Sequence, residues 1–197
     1  MAASSAHSSQ IRRWLDRIAA GDRAARDELL AAVSGRLLRL ARKMFRRFPR
    51  VRRWVDSGDV IQNAQLRLLR ALETVRPDSV RAFFALAAEQ IRRELLDLAR
   101  HYFGPEGPGA HHDSNQPASD RPQTPERAED AEDLDRWQAF HESVALLPPE
   151  EREVMDLLYY AGQTQAEAAE LLGVSIRTVQ RRWGAALLRL HGTLRDP

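Results

Sequence analysis

At 197 residues, with 43% apolar content but ten prolines and ten glycines, the chain suits two small domains better than one large one. It has no cysteine, which excludes disulfides, thiolate zinc sites and thiol catalysis. It also lacks the run of about eighteen apolar residues that a membrane span needs, and Met1–Ser5 is neither basic nor apolar enough for a secretory leader, so a soluble, cytoplasmic protein is expected. The net charge of +2 conceals segregation: residues 1–103 hold 21 basic and 11 acidic residues, 104–136 hold 3 and 9, 137–170 hold 1 and 7, and 171–197 hold 5 and 1. Two basic regions flanking an acidic middle suggest a polyanion gripped at two places.

Every periodic segment has the helical period, and no alternating strand pattern is present, so the expected fold is all-α. Residues 1–10 are polar and serine-rich and are expected to be disordered. A first helix is predicted over about Gln10–Ala19, ended by Gly21. A second, from Asp22 to about Phe45, places Leu29, Leu30, Val33, Leu37, Leu40, Ala41 and Met44 on one stripe. Pro49 breaks the pattern, and a third helix runs from Ser57 or Asp59 to about Leu72, burying Val60, Ile61, Ala64, Leu68 and Leu72. After the loop Val75–Asp78, a fourth helix from Ser79 to about Arg100 carries Phe83, Phe84, Ala87, Ile91, Leu95 and Leu98 at three- and four-residue steps. Residues 11–103 thus form one helical domain. Residues 104–136, rich in Gly, Pro, Ser and acid, cannot bury enough apolar surface to offset chain ordering and are expected to be a flexible linker.

Helical patterning resumes in a second domain, residues 137–197, with a helix over about Asp135–Leu147. Pro148-Pro149 opens another helix, whose dipole Glu150 and Glu151 complement and which Gly162 ends. The stretch from Gln163 to Arg182 is the most specific in the chain. Thr164 and Glu167 make a capping box, and Ala168, Ala169 and Leu172 allow a close helix crossing. Gly173 suits a left-handed helix end, and Ser175 caps the next helix. Ile176 and Val179 are expected to face inward, while Arg177, Thr178, Gln180, Arg181 and Arg182 lie on the outward and leading faces. This is a helix-turn-helix, a device that places one helix in the DNA major groove. Near its end the generic motif wants an apolar residue where Arg182 stands, and Trp183 is expected to supply that contact one position later.

Four stretches carry a family resemblance. They are Gly21–Leu29; Asp59-Val60-Ile61-Gln62-Asn63-Ala64-Gln65-Leu66-Arg67; Arg81–Phe84 through Gln90–Leu95; and Leu147–Val154 with the helix-turn-helix after it. Together they resemble the extracytoplasmic-function (ECF) sigma factors of bacterial RNA polymerase, which keep two helical domains on a flexible linker. The resemblance implies a non-catalytic, cofactor-free protein that binds core RNA polymerase and promoter DNA, with an anti-sigma factor as a further partner to test for. It implies polymerase docking by Asp59, Gln62, Asn63 and Arg67, although the family has an acid at Asn63 and an aromatic at Gln65. It implies minus-ten reading by the fourth helix, where Arg81, Gln90 and Arg93 fall on the polar side while Phe83 and Phe84 are expected in the core. It further implies capture of a flipped base by the loop Val75–Ser79 and minus-thirty-five reading by the last helix. There Ser175 is expected at a phosphate, Arg177, Gln180 and Arg181 at base edges, and Arg182 and Arg189 on the backbone. The rival reading is a stand-alone helix-turn-helix repressor or activator. His111-His112-Asp113 has metal-ligand residue types but sits in a Gly/Pro-rich stretch without supporting residues, so no metal is expected.

Overall fold

The structure is a computed structural model. It describes the backbone of residues 2–45, 57–103 and 125–193, and the side chains of 8–36, 60–101 and 135–193. Among the described residues there are eight α-helices, one π-helical turn and no strand. The first four helices are α1 (Ala2–Ala19), α2 (Ala24–Phe45), α3 (Ser57–Thr74) and α4 (Val80–Phe103). Asp22 starts α2 by accepting from the backbone N–H of Ala24 at 2.9 Å, and Ser79 starts α4 by accepting from Ala82 N–H at 3.1 Å; each satisfies a donor that the helix cannot pair internally. The apolar stripes converge as periodicity predicts: Ile11, Leu15, Leu29, Val33, Val60, Leu68, Leu72, Phe83, Ile91 and Leu95 are all buried. Each large one contributes about 1.5–3 kcal/mol. Phe83 and Phe84 are core residues, their rings 5.4 Å apart. On the α2 stripe, the side chains of Leu37, Leu40, Ala41 and Met44 lie outside the described residues.

Two boundaries differ from expectation. Residues 2–10, expected to be disordered, are helical and continuous with α1; Ala2, Ala3 and Ala6 favour helix although they form no apolar stripe. The next helix, α5 (Pro125–Ala145), begins ten residues before the expected Asp135. Proline at its first position and the acids Glu126, Glu129 and Asp130 near its positive end favour helix, but its opening turns are polar all round, so hydrophobic periodicity could not reveal them. The stretch 104–124 lies outside the described residues.

The remaining elements are α6 (Pro149–Met155), the π-helical turn Asp156–Tyr160, α7 (Gln165–Leu172) and α8 (Ile176–Thr193). In the π-helical turn Ala161 N–H reaches Asp156 C=O at 2.9 Å, five residues back. This wider winding brings Asp156 and Tyr160 close to one line along the helix side. Both are buried, and they face α4. The core runs without interruption from the first bundle into the second, through Phe83, Ile91, Trp137, Met155, Tyr160, Val179 and Leu190. The expected two bundles are therefore packed on one another, with α4 between them.

Candidate nucleic-acid interface

The helix-turn-helix is built as its residues require. Thr164 Oγ1 accepts from Glu167 N–H at 3.2 Å, and Glu167 Oε2 accepts from Thr164 N–H at 2.7 Å, completing the capping box. Gly173 adopts φ +64°, which a side chain would strain, and Val174 N–H closes the turn onto Ala169 C=O at 3.0 Å. Ser175 Oγ then accepts from Thr178 N–H at 3.1 Å and lies 2.9 Å from the Thr178 hydroxyl, so both side chains stand at the start of α8. Val179, Ala186 and Leu190 form its inward face. Ile176, expected inward, is instead 46% exposed; it is the first residue of α8, one turn ahead of the first covered position.

The arginines of α8 fall into two groups. Arg177 and Arg181 are exposed and have no ion pair among the described residues, whereas Arg182 and Arg189 are tethered. Arg182 Nη2 sits 2.7 Å from Glu150 Oε2 with its side chain only 16% exposed. This corrects its placement on the outward face: it covers the first turn of α6 and is held there. Trp183 packs against the core one position later, as expected. Arg189 Nε is 3.0 Å from Glu151 Oε2. Gln180 is exposed and donates from Nε2 to Gln165 Oε1 at 3.0 Å, across the two helices of the motif.

The α4 candidates are placed differently. Arg81 is exposed, but Nε donates to Glu153 Oε1 at 3.1 Å, on the second bundle. Arg93 is exposed and donates to Glu89 at 2.8 Å. Gln90, expected on a free polar side, is buried at 8% exposure; it lies one turn before Glu94, which pairs with Arg67 of α3, on the side of α4 that faces the first bundle. Between them lies Arg92, which the sequence reading missed. It is buried, donating from Nη1 to Asp156 Oδ1 at 2.9 Å, also pairing with Glu89, and lying 5.4 Å above the Tyr160 ring. Burial pushes the Asp156 carboxyl up to about 6 against the pull of Arg92, and burial raises the Tyr160 hydroxyl well above its usual range. His141, whose Nδ1 is 2.7 Å from that hydroxyl, is pushed down to about 3 by burial and then by the Arg92 charge. The excess of acid in residues 137–170 is the one sequence signal that could have pointed to a partner for Arg92.

On α3, Gln62 and Asn63 are exposed. Arg67 is held by Glu94 at 2.7 Å and by Asp97 at 2.5 Å. Asp59 falls in the first turn, with its side chain outside the described residues. In the loop before α4, Val75, Arg76 and Asp78 are exposed. Among the described residues no group of three or more His, Asp and Glu could hold a metal ion, and no helix is long and apolar enough to cross a membrane. His111-His112-Asp113 lies outside the described residues.

A family model described as ECF sigma factor matches residues 8–196. No curated protein matches. Solved structures do match, and one similar chain is CnrH, solved in complex with the cytosolic domain of CnrY. It is 22% identical, with 95% of this chain and 99% of that chain covered and a TM-score of 0.38.

Proposed function

Because the chain belongs to the ECF sigma factor family, which acts in transcription initiation, we propose that it works in the cytoplasm by binding core RNA polymerase and recruiting it to two promoter elements. Residues 137–193 read the minus-thirty-five duplex through α8, and α4 with the loop before it reads the minus-ten strand. Gln62 and Asn63 on the open side of α3, with Asp59 and Arg67, dock on the polymerase. The observation that carries the reading is the contrast within α8. Arg177 and Arg181 project from its first two turns, the part of a recognition helix that meets base edges, with no ion pair among the described residues, while Arg182 and Arg189 are committed to carboxylates. An unpaired guanidinium can give guanine two hydrogen bonds without first breaking an ion pair.

The connector is long enough. Residues 104–124 extended reach about 70 Å, and the first dozen residues of α5 add about 18 Å. Promoter elements about 25 base pairs apart are separated by about 85 Å of helix axis, so the connector spans them only when stretched, as on a polymerase surface.

The test titrates single-base variants of the minus-thirty-five element with polymerase carrying each mutant, at two salt concentrations. Arg177→Ala and Arg181→Ala should each cost about 1–3 kcal/mol and relax preference at one base pair. Arg189→Ala should weaken binding evenly or not at all. Equal losses at every base for all three would mean that the helix grips backbone alone.

A further inference from the structure

One side-chain contact bridges the two helices of the helix-turn-helix at its leading edge. Gln180, exposed on α8, donates from Nε2 to Gln165 Oε1 at 3.0 Å. Gln180 lies one turn after Arg177 and next to Arg181, the two arginines assigned to base edges, so its amide belongs to the same reading face. Gln165 is half-buried at the first position of α7, where its backbone is fixed. Thr164 before it and Glu167 after it close the capping box. Ala168 and Ala169 of α7 and Val179 of α8 are buried in one core, which sets the two helices against each other.

A glutamine amide carries two N–H donors and one carbonyl acceptor, and in solvent it can present them in either order. Committing one N–H to Gln165 leaves Gln180 with one N–H and its carbonyl. That couple matches adenine, whose major-groove edge offers N7 as acceptor and the N6 amino group as donor. Guanine has acceptors at both N7 and O6 and would meet the carbonyl with a like group. Resting on the promoter reading above, we propose that Gln165 is a positioning residue for promoter choice: it orients the Gln180 amide so that α8 selects adenine over guanine at one base pair of the minus-thirty-five element. Gln165 need not touch the base. It removes the alternative amide orientation before DNA arrives, so less side-chain freedom is lost on binding. Arg177 and Arg181 need no such help, since a guanidinium offers donors alone.

The test titrates holoenzyme, core polymerase with the full chain, against a genomic promoter fragment carrying each single-base change of its minus-thirty-five element in turn. The wild type should prefer adenine to guanine at one position by about tenfold. Gln165→Met keeps the length and helix propensity of the side chain but has no carbonyl. It should cut that preference by about three- to tenfold and leave the other positions unchanged. Gln165→Glu keeps an acceptor and should restore the preference, even where its charge weakens binding evenly at all bases. Gln180→Ala should abolish the preference, and adding Gln165→Met to it should change nothing further at that base. An unchanged preference in Gln165→Met, or an equal loss at every position, would overturn the positioning role, as would a Gln180→Ala variant that still prefers adenine. A wild type indifferent to every base of the element would instead overturn the promoter reading on which the role rests.

Discussion

The two helices assigned to DNA, α4 and α8, are both rich in arginine but are used differently in the free chain. On α8 the leading arginines are exposed and have no ion pair among the described residues, and the trailing ones brace the helix against Glu150 and Glu151. On α4 each arginine between positions 81 and 100 has an acidic partner, and Arg92 is buried with its own. One set of charges is open and the other is paired. A basic helix thus becomes a binding surface only where the rest of the chain leaves its charges unsatisfied.

The sharpest way to break this comparison is to mutate neighbouring arginines on α4. Arg92→Ala leaves Asp156 buried without its partner, and should weaken the packed state by about 3–5 kcal/mol, so that a single calorimetric unfolding transition separates into two. Arg93→Ala, one residue on, removes only an exposed pair with Glu89 and should change stability by no more than about 0.5 kcal/mol, with the transition still single. Replacing both partners, Arg92→Met with Asp156→Leu, should keep the bundles together, because an apolar pair of similar volume avoids the cost of burying charge.

Acid should act through His141. Its pKa is pushed from about 6.5 when unfolded to about 3 when buried, so the unfolded chain binds the extra proton and stability falls as pH drops below about 6.5. Between pH 6.5 and 5 the loss is about 2 kcal/mol. Asp156 works in the opposite sense: its raised pKa of about 6 means that the folded chain takes up a proton first, which offsets part of the loss between about pH 6 and 4. Urea denaturation of the wild type and of His141→Asn at pH 7 and pH 5 isolates the histidine contribution. The variant should lose most of this pH dependence, and an unchanged slope would show that His141 titrates normally.

A smaller effect tests the displayed surface. Thr164→Ala removes the hydroxyl that accepts from Glu167 N–H and should cost about 1 kcal/mol, lowering the thermal midpoint by a few degrees without changing which bases α8 prefers. A change of base preference would mean that the cap sets the reading angle of the helix rather than only its stability.

How much of this was legible in the sequence depended on whether a residue's environment is local. The capping box, Gly173 and the Ser175 cap were all readable, because each is decided by neighbours within four residues. The core stripes were readable because apolar positions every three or four residues have one plausible destination. The opening turns of α5 were not, since a helix without an apolar face leaves no periodic trace. Gln90, Arg92 and Arg182 were misplaced or missed for a shared reason. A polar residue on a helix looks solvent-facing until a second element arrives, and Asp156 lies 64 positions from Arg92 and Glu150 32 positions from Arg182. Ile176 failed in the opposite direction, an apolar residue that its helix leaves uncovered.

The most direct test of the account is run-off transcription by core polymerase on genomic promoter fragments, with and without this protein. The account predicts transcripts of defined length only when the protein is present, lost when Arg177→Ala and Arg181→Ala are combined. Duplex binding by the protein alone, with no new transcripts from core polymerase, would contradict it and identify a stand-alone helix-turn-helix regulator.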